Sequence, residues 1–306
     1  MNKVRVGVVG VGHLGAKHLK TYHSLEEKIH IAGICDIRED RGRQLASQYN
    51  VPFTPHYQEL LKDVDAVSLC VPTEAHFELA KFFLENGIHT LVEKPITVTV
   101  SQAEELITLA GKNKLKLQVG HIERFNAAFQ AVKRLIHQPM FIECHRLNHF
   151  PNRSLDIGVV MDLMIHDIDI ILGLVPSPIK DIHAVGINVL TPLEDIANAR
   201  LTFHNGCVCN LTASRISDDV VRKIRIFQEG IYISLDYVQQ EAYIYKKHDS
   251  QILKHSLPIE REEPLRKELD HFIDCILTGD QPLISGSEGK EALKVALDIT
   301  RQIWKR

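Results

Sequence analysis

The chain has 306 residues, 44% of them hydrophobic, and its 36 Lys and Arg residues nearly balance its 39 Asp and Glu residues, for a formal net charge of -3. This length predicts two domains with substantial cores, and the balanced charge argues against nucleic acid or a membrane surface as a partner. No apolar run approaches the roughly 18 residues needed to cross a bilayer. The six cysteines form no Cys-x-x-Cys pair, and no cationic, apolar leader precedes the first strand, so we expect a reduced, cytoplasmic protein.

A glycine-rich motif follows the first predicted strand. The apolar segment Val4 to Val9 is typical of a buried strand, and a helical pattern follows the glycines to about Tyr22. Gly10 would make the tight turn, Gly12 would let the backbone approach a pyrophosphate, and Gly15 would let the helix pack closely on the strand. The helix N-terminus offers amide groups and a partial positive charge to phosphates. A dinucleotide site is therefore predicted at Gly10-Val11-Gly12-His13-Leu14-Gly15.

An acidic residue ends the second predicted strand, Ile29 to Cys35. Asp36 follows that strand at about the spacing at which a carboxylate hydrogen-bonds the adenosine ribose hydroxyls. Because it would repel a 2'-phosphate, NAD is favoured over NADP as the cofactor. Arg38 could instead accept that phosphate or stack on adenine.

Strands and helices continue to alternate up to residue 119, which predicts a doubly wound parallel sheet of the Rossmann type. Ser101 and Glu104 have the spacing of a helix capping box. The predicted elements are helix 39–50, short helix 57–62, strand 65–71, helix 74–86, strand 88–93, helix 101–112 and strand 115–119.

Several residues follow strands at the edge where Gly10 lies. Ligands of open α/β sheets bind outside the carboxyl ends of the strands, so we expect Lys94 at the mouth of the crevice and the Thr73 hydroxyl near the cofactor. For His76, the alternative to a cofactor contact is a structural role in which it satisfies a neighbouring loop. The residues expected along the cofactor at these strand ends are Cys70, Pro72, Thr73, His76, Glu93, Lys94 and Pro95.

The pattern changes after Gly120. Strand-like segments joined by short turns predict a C-terminal α+β domain built on a mostly antiparallel sheet. We therefore divide the chain into a nucleotide-binding domain at 1–120 and a substrate and oligomerisation domain at 121–306, whose last helix could return to the first domain. The elements are helices 124–137, 263–278 and 286–304 and strands near 140–148, 181–190, 196–204, 207–215, 222–229, 231–237 and 241–246.

One predicted helix in the second domain carries a polar stripe. Asp162, His166 and Asp169 fall at i, i+4 and i+7 on an otherwise apolar helix. The alternative to a functional role for this stripe is an Asp and His pair that stabilises the helix. Asp167 points away from the stripe. Because the stripe lacks a second histidine or cysteine at ligand spacing, no metal is expected.

These motifs together resemble the Gfo/Idh/MocA family of sugar and polyol oxidoreductases. The resemblance rests on the glycine motif, Asp36, Val71-Pro72-Thr73 with His76, and Glu93-Lys94-Pro95, and it extends over essentially the whole chain. It implies that Lys94 lies beside the nicotinamide and the reacting hydroxyl, with a peptide bond to Pro95 that is often cis. Asp162 and His166 match the family's second motif and would complete the catalytic group.

Two basic stretches, 120–126 and 142–153, bear on the substrate. Arg124, Arg146 and Arg153 could bind a diphosphate through bidentate hydrogen bonds, with solvated side chains as the alternative. The stretches resemble the subgroup of UDP-N-acetylglucosamine 3-dehydrogenases, which precede an aminotransferase in lipid A biosynthesis. This resemblance implies that the substrate-binding residues are His121, Glu123, Arg124, Asn126, Arg146, Arg153, Asp162 and His166.

The residues suggest a mechanism for oxidising a secondary alcohol. A histidine titrates near neutral pH, so His166 is the predicted base. Lys94 would stabilise the developing alkoxide, and Asp162 would orient His166 or Lys94. Two alternatives remain: an inositol, polyol or free-sugar dehydrogenase with the same residues, and a non-enzymatic NAD-binding sensor. The open face of the antiparallel sheet predicts a homodimer or homotetramer.

Overall fold

The computed structural model describes residues 3–150, 157–249 and 251–305 of the chain. Their contacts divide into two compact units. Unit 1 comprises the described residues through His121 together with Leu265–Lys290, and unit 2 comprises Ile122–Pro264 and the described residues from Glu291 onward. Among these residues, no helix has both the length and the apolar composition needed to span a membrane.

Unit 1 contains a six-stranded parallel sheet of order β3-β2-β1-β4-β5-β6, so the predicted Rossmann-type architecture is confirmed. Its central strands are almost continuously buried, as expected where helices cover both faces. The strands are β1 (Val4–Val9), β2 (Ile29–Cys35), β3 (Phe53–Thr54), β4 (Ala66–Leu69), β5 (His89–Glu93) and β6 (Leu117–Gly120). The helices are α1 (His13–His23), α2 (Glu39–Tyr49), α3 (Thr73–Glu85) and α4 (Val100–Lys112), with a 3-10 helix at Tyr57–Lys62.

A segment from the end of the chain completes unit 1. Helix α7 (Pro264–Thr278) and the first turn of α8 (Gly286–Trp304) contribute to it, so unit 1 extends beyond the range of 1–120 derived from the sequence. The side-chain amide of Gln118 donates to the carbonyl of Glu268 at 3.2 Å, and the backbone amide of Val119 donates to the carbonyl of Ile284 at 3.0 Å.

The cap of α4 differs from the sequence expectation. Thr99, not Ser101, is the N-cap: its hydroxyl accepts from the Gln102 amide, and the Gln102 side chain accepts from the Thr99 amide. An N-cap needs extended backbone immediately before the first helical residue, and Thr99 has φ -127° and ψ 153°. The predicted Ser101 and Glu104 capping box is therefore wrong, because Ser101 already lies inside the first turn.

Unit 2 contains an eight-stranded, mostly antiparallel sheet, which confirms the predicted α+β domain. Its order is β14-β13-β12-β11-β7-β10-β9-β8, and β7 pairs parallel with β10. The strands are β7 (Phe141–Leu147), β8 (Ile179–Ile187), β9 (Ile196–Phe203), β10 (Val208–Ser214), β11 (Val221–Gln228), β12 (Ile231–Asp236), β13 (Glu241–His248) and β14 (Gln251–Ser256).

Short helices and most of α8 cover one face of this sheet and form a common apolar core with it. The predicted helix at 124–137 is broken into a 3-10 turn at Ile122–Phe125, α5 (Ala127–Val132) and a 3-10 turn at Lys133–Leu135. Asn126 causes this break because its side chain caps α5 by accepting from the Ala128 amide. A π-helical turn at Val160–Met164 leads into α6 (Ile165–Leu174).

Candidate active site

The glycine motif forms a tight connection between β1 and α1. Gly10 has φ +82°, and a Cβ there would lie 2.7 Å from the carbonyl oxygen of Cys70. A Cβ at Gly15 would overlap the carbonyl oxygen of Gly10. The N-cap residue of α1 is Gly12, which makes no side-chain cap hydrogen bond, and the first helical residues are His13, which is exposed, and Leu14, which is half-buried. This backbone has the room and the uncapped amides that a dinucleotide diphosphate requires.

Asp36 supports this loop from the end of β2. Its carboxylate accepts from the amide of Val11 at 2.8 Å and from the amide of Arg38 at 2.9 Å. The Arg38 side chain is 60% exposed and reaches back towards Gly12. Ile37, which directly follows Asp36, is 91% exposed, which is unusual for a large apolar side chain. The sequence analysis did not select Ile37, although an aliphatic residue directly after the acidic position was a visible signal.

Buried side chains hold the residues on both sides of Lys94. The ring of His76 contacts the carbonyl oxygens of Pro95 at 2.8 Å and Val71 at 2.9 Å. On the other side, the carboxylate of Glu93 pairs with His18 on α1 at 2.9 Å. The Lys94–Pro95 peptide is cis, as the resemblance implied.

Two of the predicted cofactor residues are buried. His76 is 1% exposed and Glu93 7% exposed, and both bind protein groups close to Lys94 in the chain. Glycine at position 120 makes room for this arrangement, since a Cβ there would lie 2.6 Å from the Glu93 carboxylate. His18 was missed, although a histidine three residues after the glycine motif, on the buried face of α1, was a visible signal.

The remaining cofactor candidates lie at the loop after β4. Cys70 and Thr73 are half-buried and Pro72 is exposed. Burial and the neighbouring Glu93 carboxylate raise the pKa of the Cys70 thiol well above its usual value. Within the described residues, His18, Cys70 and Glu93 form the one group whose possible metal ligands all lie within 4.8 Å of one another. Because His18 and Glu93 already hydrogen-bond each other, we interpret this group as a buried polar network.

In unit 2, Asp162 and His166 lie on consecutive helical segments. Asp162 belongs to the π-helical turn and His166 to the first turn of α6, and both are half-buried. Asp169, the third member of the predicted stripe, is buried, and its carboxylate binds Arg124. Asp162 and His166 are therefore the part of the predicted stripe that remains accessible.

Two of the expected substrate-binding arginines are committed to internal ion pairs. Arg124 binds the Asp169 carboxylate at 2.7 and 2.9 Å. Arg146 is buried, with its guanidinium 2.8 Å from the carboxylates of both Glu123 and Asp167. The burial of Asp167 raises the pKa of its carboxyl group, and Arg146 opposes that rise. Both guanidiniums are therefore paired with carboxylates inside unit 2, which the sequence had not indicated.

The other substrate candidates have mixed outcomes. Glu123 forms an ion pair with Arg146. Asn126 caps α5 and donates to the carbonyl of Tyr237 at 3.1 Å. Both residues thus make structural contacts. His121 is 1% exposed, which does not fit direct contact with a substrate. Arg153 lies outside the described residues.

Comparison with known proteins agrees with this geometry. Residues 4–121 match the oxidoreductase family with an NAD-binding Rossmann fold, and residues 118–230 match the GFO/IDH/MocA C-terminal domain. The chain is 34% identical to the UDP-N-acetylglucosamine 3-dehydrogenase of Acidithiobacillus ferrooxidans, covering 98% of this chain and 97% of that protein. It is 28% identical to the myo-inositol 2-dehydrogenase of Thermotoga maritima, covering 95% and 93%.

Solved structures show the same fold. A crystal form of the Acidithiobacillus enzyme superposes with a TM-score of 0.94 at 34% identity, covering 99% of this chain and 98% of that one. A levoglucosan dehydrogenase in complex with NADH and levoglucosan has a TM-score of 0.91 at 17% identity, covering 99% and 98%. The chain is therefore an oxidoreductase of the Gfo/Idh/MocA family, with an NAD-binding Rossmann domain followed by the family's C-terminal domain.

Proposed function

We propose that this protein oxidises the 3-hydroxyl of UDP-N-acetylglucosamine to the 3-keto sugar nucleotide, with NAD as the hydride acceptor. The observation that carries the proposal is the 34% identity with a UDP-N-acetylglucosamine 3-dehydrogenase over nearly the full length of both chains. The backbone at Gly10, Gly12 and Gly15 would hold the diphosphate of NAD, and Asp36 would hold the adenosine ribose. NAD is preferred over NADP because the Asp36 carboxylate would repel a 2'-phosphate.

Three side chains would act on the substrate. Bound NAD supplies the hydride acceptor, while the protein supplies binding, orientation and proton transfer. His166 would take the proton from the substrate hydroxyl, because an imidazole titrates near neutral pH. Lys94 would donate a hydrogen bond to the same oxygen and stabilise its developing negative charge. Asp162 would orient His166 or Lys94. The contacts of His76 and Glu93 with the residues around Lys94 support this role, because they restrict its backbone.

The direct test is NADH formation from UDP-N-acetylglucosamine and NAD, followed by absorbance. A sugar-nucleotide aminotransferase and glutamate are included because oxidation of an alcohol by NAD can be unfavourable until the ketone is removed. We expect NADH with the nucleotide sugar and far less with free N-acetylglucosamine. His166→Ala should retain NAD binding and lose most turnover, and Lys94→Met should also slow the chemical step. An unimpaired rate in either variant would remove that residue from the mechanism.

The same assay tests a second candidate. The 28% identity with a myo-inositol 2-dehydrogenase favours oxidation of inositol by the same residues. NADH formed from inositol or free sugars, with none from UDP-N-acetylglucosamine, would replace the first proposal with this one.

We also propose that the open face of the large sheet associates with another copy of the chain. This face carries a row of aromatic rings, Phe141, Phe227, Tyr232 and Tyr245, with centroid separations of 5.6, 4.6 and 4.6 Å along the row. All four are half-buried and could bury further apolar area on association. Light scattering should give the mass of a dimer or tetramer, and a monomer at micromolar concentration would contradict this proposal.

A further inference from the structure

An arginine that the sequence analysis did not select lies at the start of β11. Arg222 pairs in register with Arg146 on β7, and the following alternate positions pair as Ile224 with Cys144 and Ile226 with Ile142. Those isoleucines and their partners are buried in the core of unit 2. Because side chains alternate across a strand, Arg222 lies on the core-facing side of the sheet. A lone arginine in phase with buried isoleucines was the available sequence signal.

Arg222 differs from its neighbours in its electrostatic environment. Within the part of the chain that the structure describes, no carboxylate lies within 4.0 Å of Arg222, whereas Arg146 binds two. Burial and the like charge of Arg146 lower the pKa of Arg222, and the acidic groups that oppose this are Glu123, Asp167 and Asp162. Two of these three already neutralise Arg146. Counting only the described residues, Arg222 is therefore a half-buried cation whose charge is incompletely compensated.

The position of Arg222 relates it to the proposed catalytic residues of unit 2. Its partner Arg146 contacts Asp167, which directly follows His166 on α6. Asp162, on the preceding π-helical turn, is close enough to act electrostatically on Arg222. Arg222 thus lies beside Arg146 on the core-facing side of the sheet, within electrostatic reach of Asp162.

We propose that Arg222 binds the diphosphate of the nucleotide-sugar substrate, in place of Arg124 and Arg146. This inference rests on the proposed function. A guanidinium matches diphosphate oxygens with paired, charge-assisted hydrogen bonds, and a half-buried site strengthens them relative to open solvent. The site would thereby distinguish a nucleotide sugar from a free sugar.

The test uses Arg222→Met, with Arg225→Met as the matched control. Arg225 lies on the same strand but faces the other side of the sheet, where it pairs with Glu143. Binding of UDP and of uridine to the full protein with NAD is measured by calorimetry, because the two probes differ only in the diphosphate. We expect Arg222→Met to weaken UDP binding about 10- to 100-fold, the usual range for hydrogen bonds to a charged group. Uridine binding and the Arg225→Met values should match wild type.

Kinetics give a second readout. Arg222→Met should raise KM for UDP-N-acetylglucosamine by a similar factor while kcat changes by less than about threefold, as expected for uniform substrate binding. Arg222→Lys keeps the charge without the paired donors, so its UDP affinity should be intermediate, and it carries the test if Arg222→Met does not fold.

The outcomes separate the two proposals. If wild type oxidises UDP-N-acetylglucosamine and the ratio of UDP to uridine affinity is unchanged in both Arg222 variants, the assignment of Arg222 is overturned and the proposed function stands. If wild type neither binds UDP nor oxidises the nucleotide sugar, the proposed function fails and this inference fails with it.

Discussion

Replacing Arg146 with methionine should destabilise unit 2 by removing the cation that pairs with two buried carboxylates. The guanidinium of Arg146 lies 2.8 Å from both Glu123 and Asp167, and the three side chains are 3%, 9% and 4% exposed. Methionine has a similar length and is apolar, so packing is largely kept while the charge is lost. Removing one partner of a buried ion pair costs about 3–5 kcal/mol of the free energy of unfolding.

The cost of Arg146→Met should depend on pH in a defined direction. Burial already raises the pKa of Asp167 above its usual value, and loss of Arg146 should raise it further. A carboxyl group whose pKa is higher in the folded than in the unfolded state stabilises the fold at low pH, and this contribution is lost as pH rises through the folded-state pKa. The deficit relative to wild type should therefore grow as the pH rises from about 4, near the unfolded-state pKa of an aspartate, to neutral pH.

Urea unfolding followed by tryptophan fluorescence measures this effect in the correct unit. The chain has a single tryptophan, Trp304, at the end of α8 within unit 2. Arg225→Met is the control, because the ion pair of Arg225 with Glu143 is 47% and 29% exposed, and such pairs contribute about 0–1 kcal/mol. The reasoning is refuted if Arg146→Met costs no more than this control at neutral pH, or if its cost is the same at low and neutral pH.

Three further predictions concern unit 1. Gly15→Ala should abolish measurable NAD binding by calorimetry, because its Cβ would overlap the Gly10 carbonyl; an unchanged affinity would contradict this. Asp36→Ala should raise the ratio of kcat/KM for NADP over NAD at least about tenfold by removing like-charge repulsion, and an unchanged ratio would assign NAD preference to other groups. If His76 acts through Lys94, His76→Ala should lower kcat in the wild-type background but should not lower it further in the Lys94→Met background. A double-mutant cycle measures this difference, and additive losses of kcat would exclude that role.

The sequence predicted the features of the site that depend on local pattern. Glycine spacing after an apolar strand, and an acidic residue at the end of the next strand, are contiguous signals, so the loop from Gly10 to Gly15 and the position of Asp36 were recognisable. The cis peptide at Lys94 followed from family resemblance and is present. These features need no information about which distant residues face one another.

The errors concern long-range partners. Arg124 and Arg146 looked like anion-binding residues because the sequence did not show that Asp169 and Asp167 would face them. Asp167 was set aside for pointing away from the polar stripe, yet it is the buried partner of Arg146. A charged residue's role depends on its neighbours in space, and one sequence does not supply them.

Other errors concern element boundaries. Strand β14 was missed because Gln251–Ser256 is mostly exposed and lacks the apolar alternation of a half-buried strand. The α4 cap was misplaced by two residues because Thr99 and Ser101 both begin patterns that fit a capping box.

The C-terminal contribution to unit 1 affects how the chain can fold during translation. The side-chain amide of Gln118 and the backbone amide of Val119 donate to the carbonyls of Glu268 and Ile284. Both of these partners are synthesised only after every strand of the eight-stranded sheet. A ribosome-bound chain that has just exposed β6 cannot yet bury that strand's outer edge. The nucleotide-binding unit should therefore reach protease resistance only after α7 emerges, later than its N-terminal position in the sequence suggests.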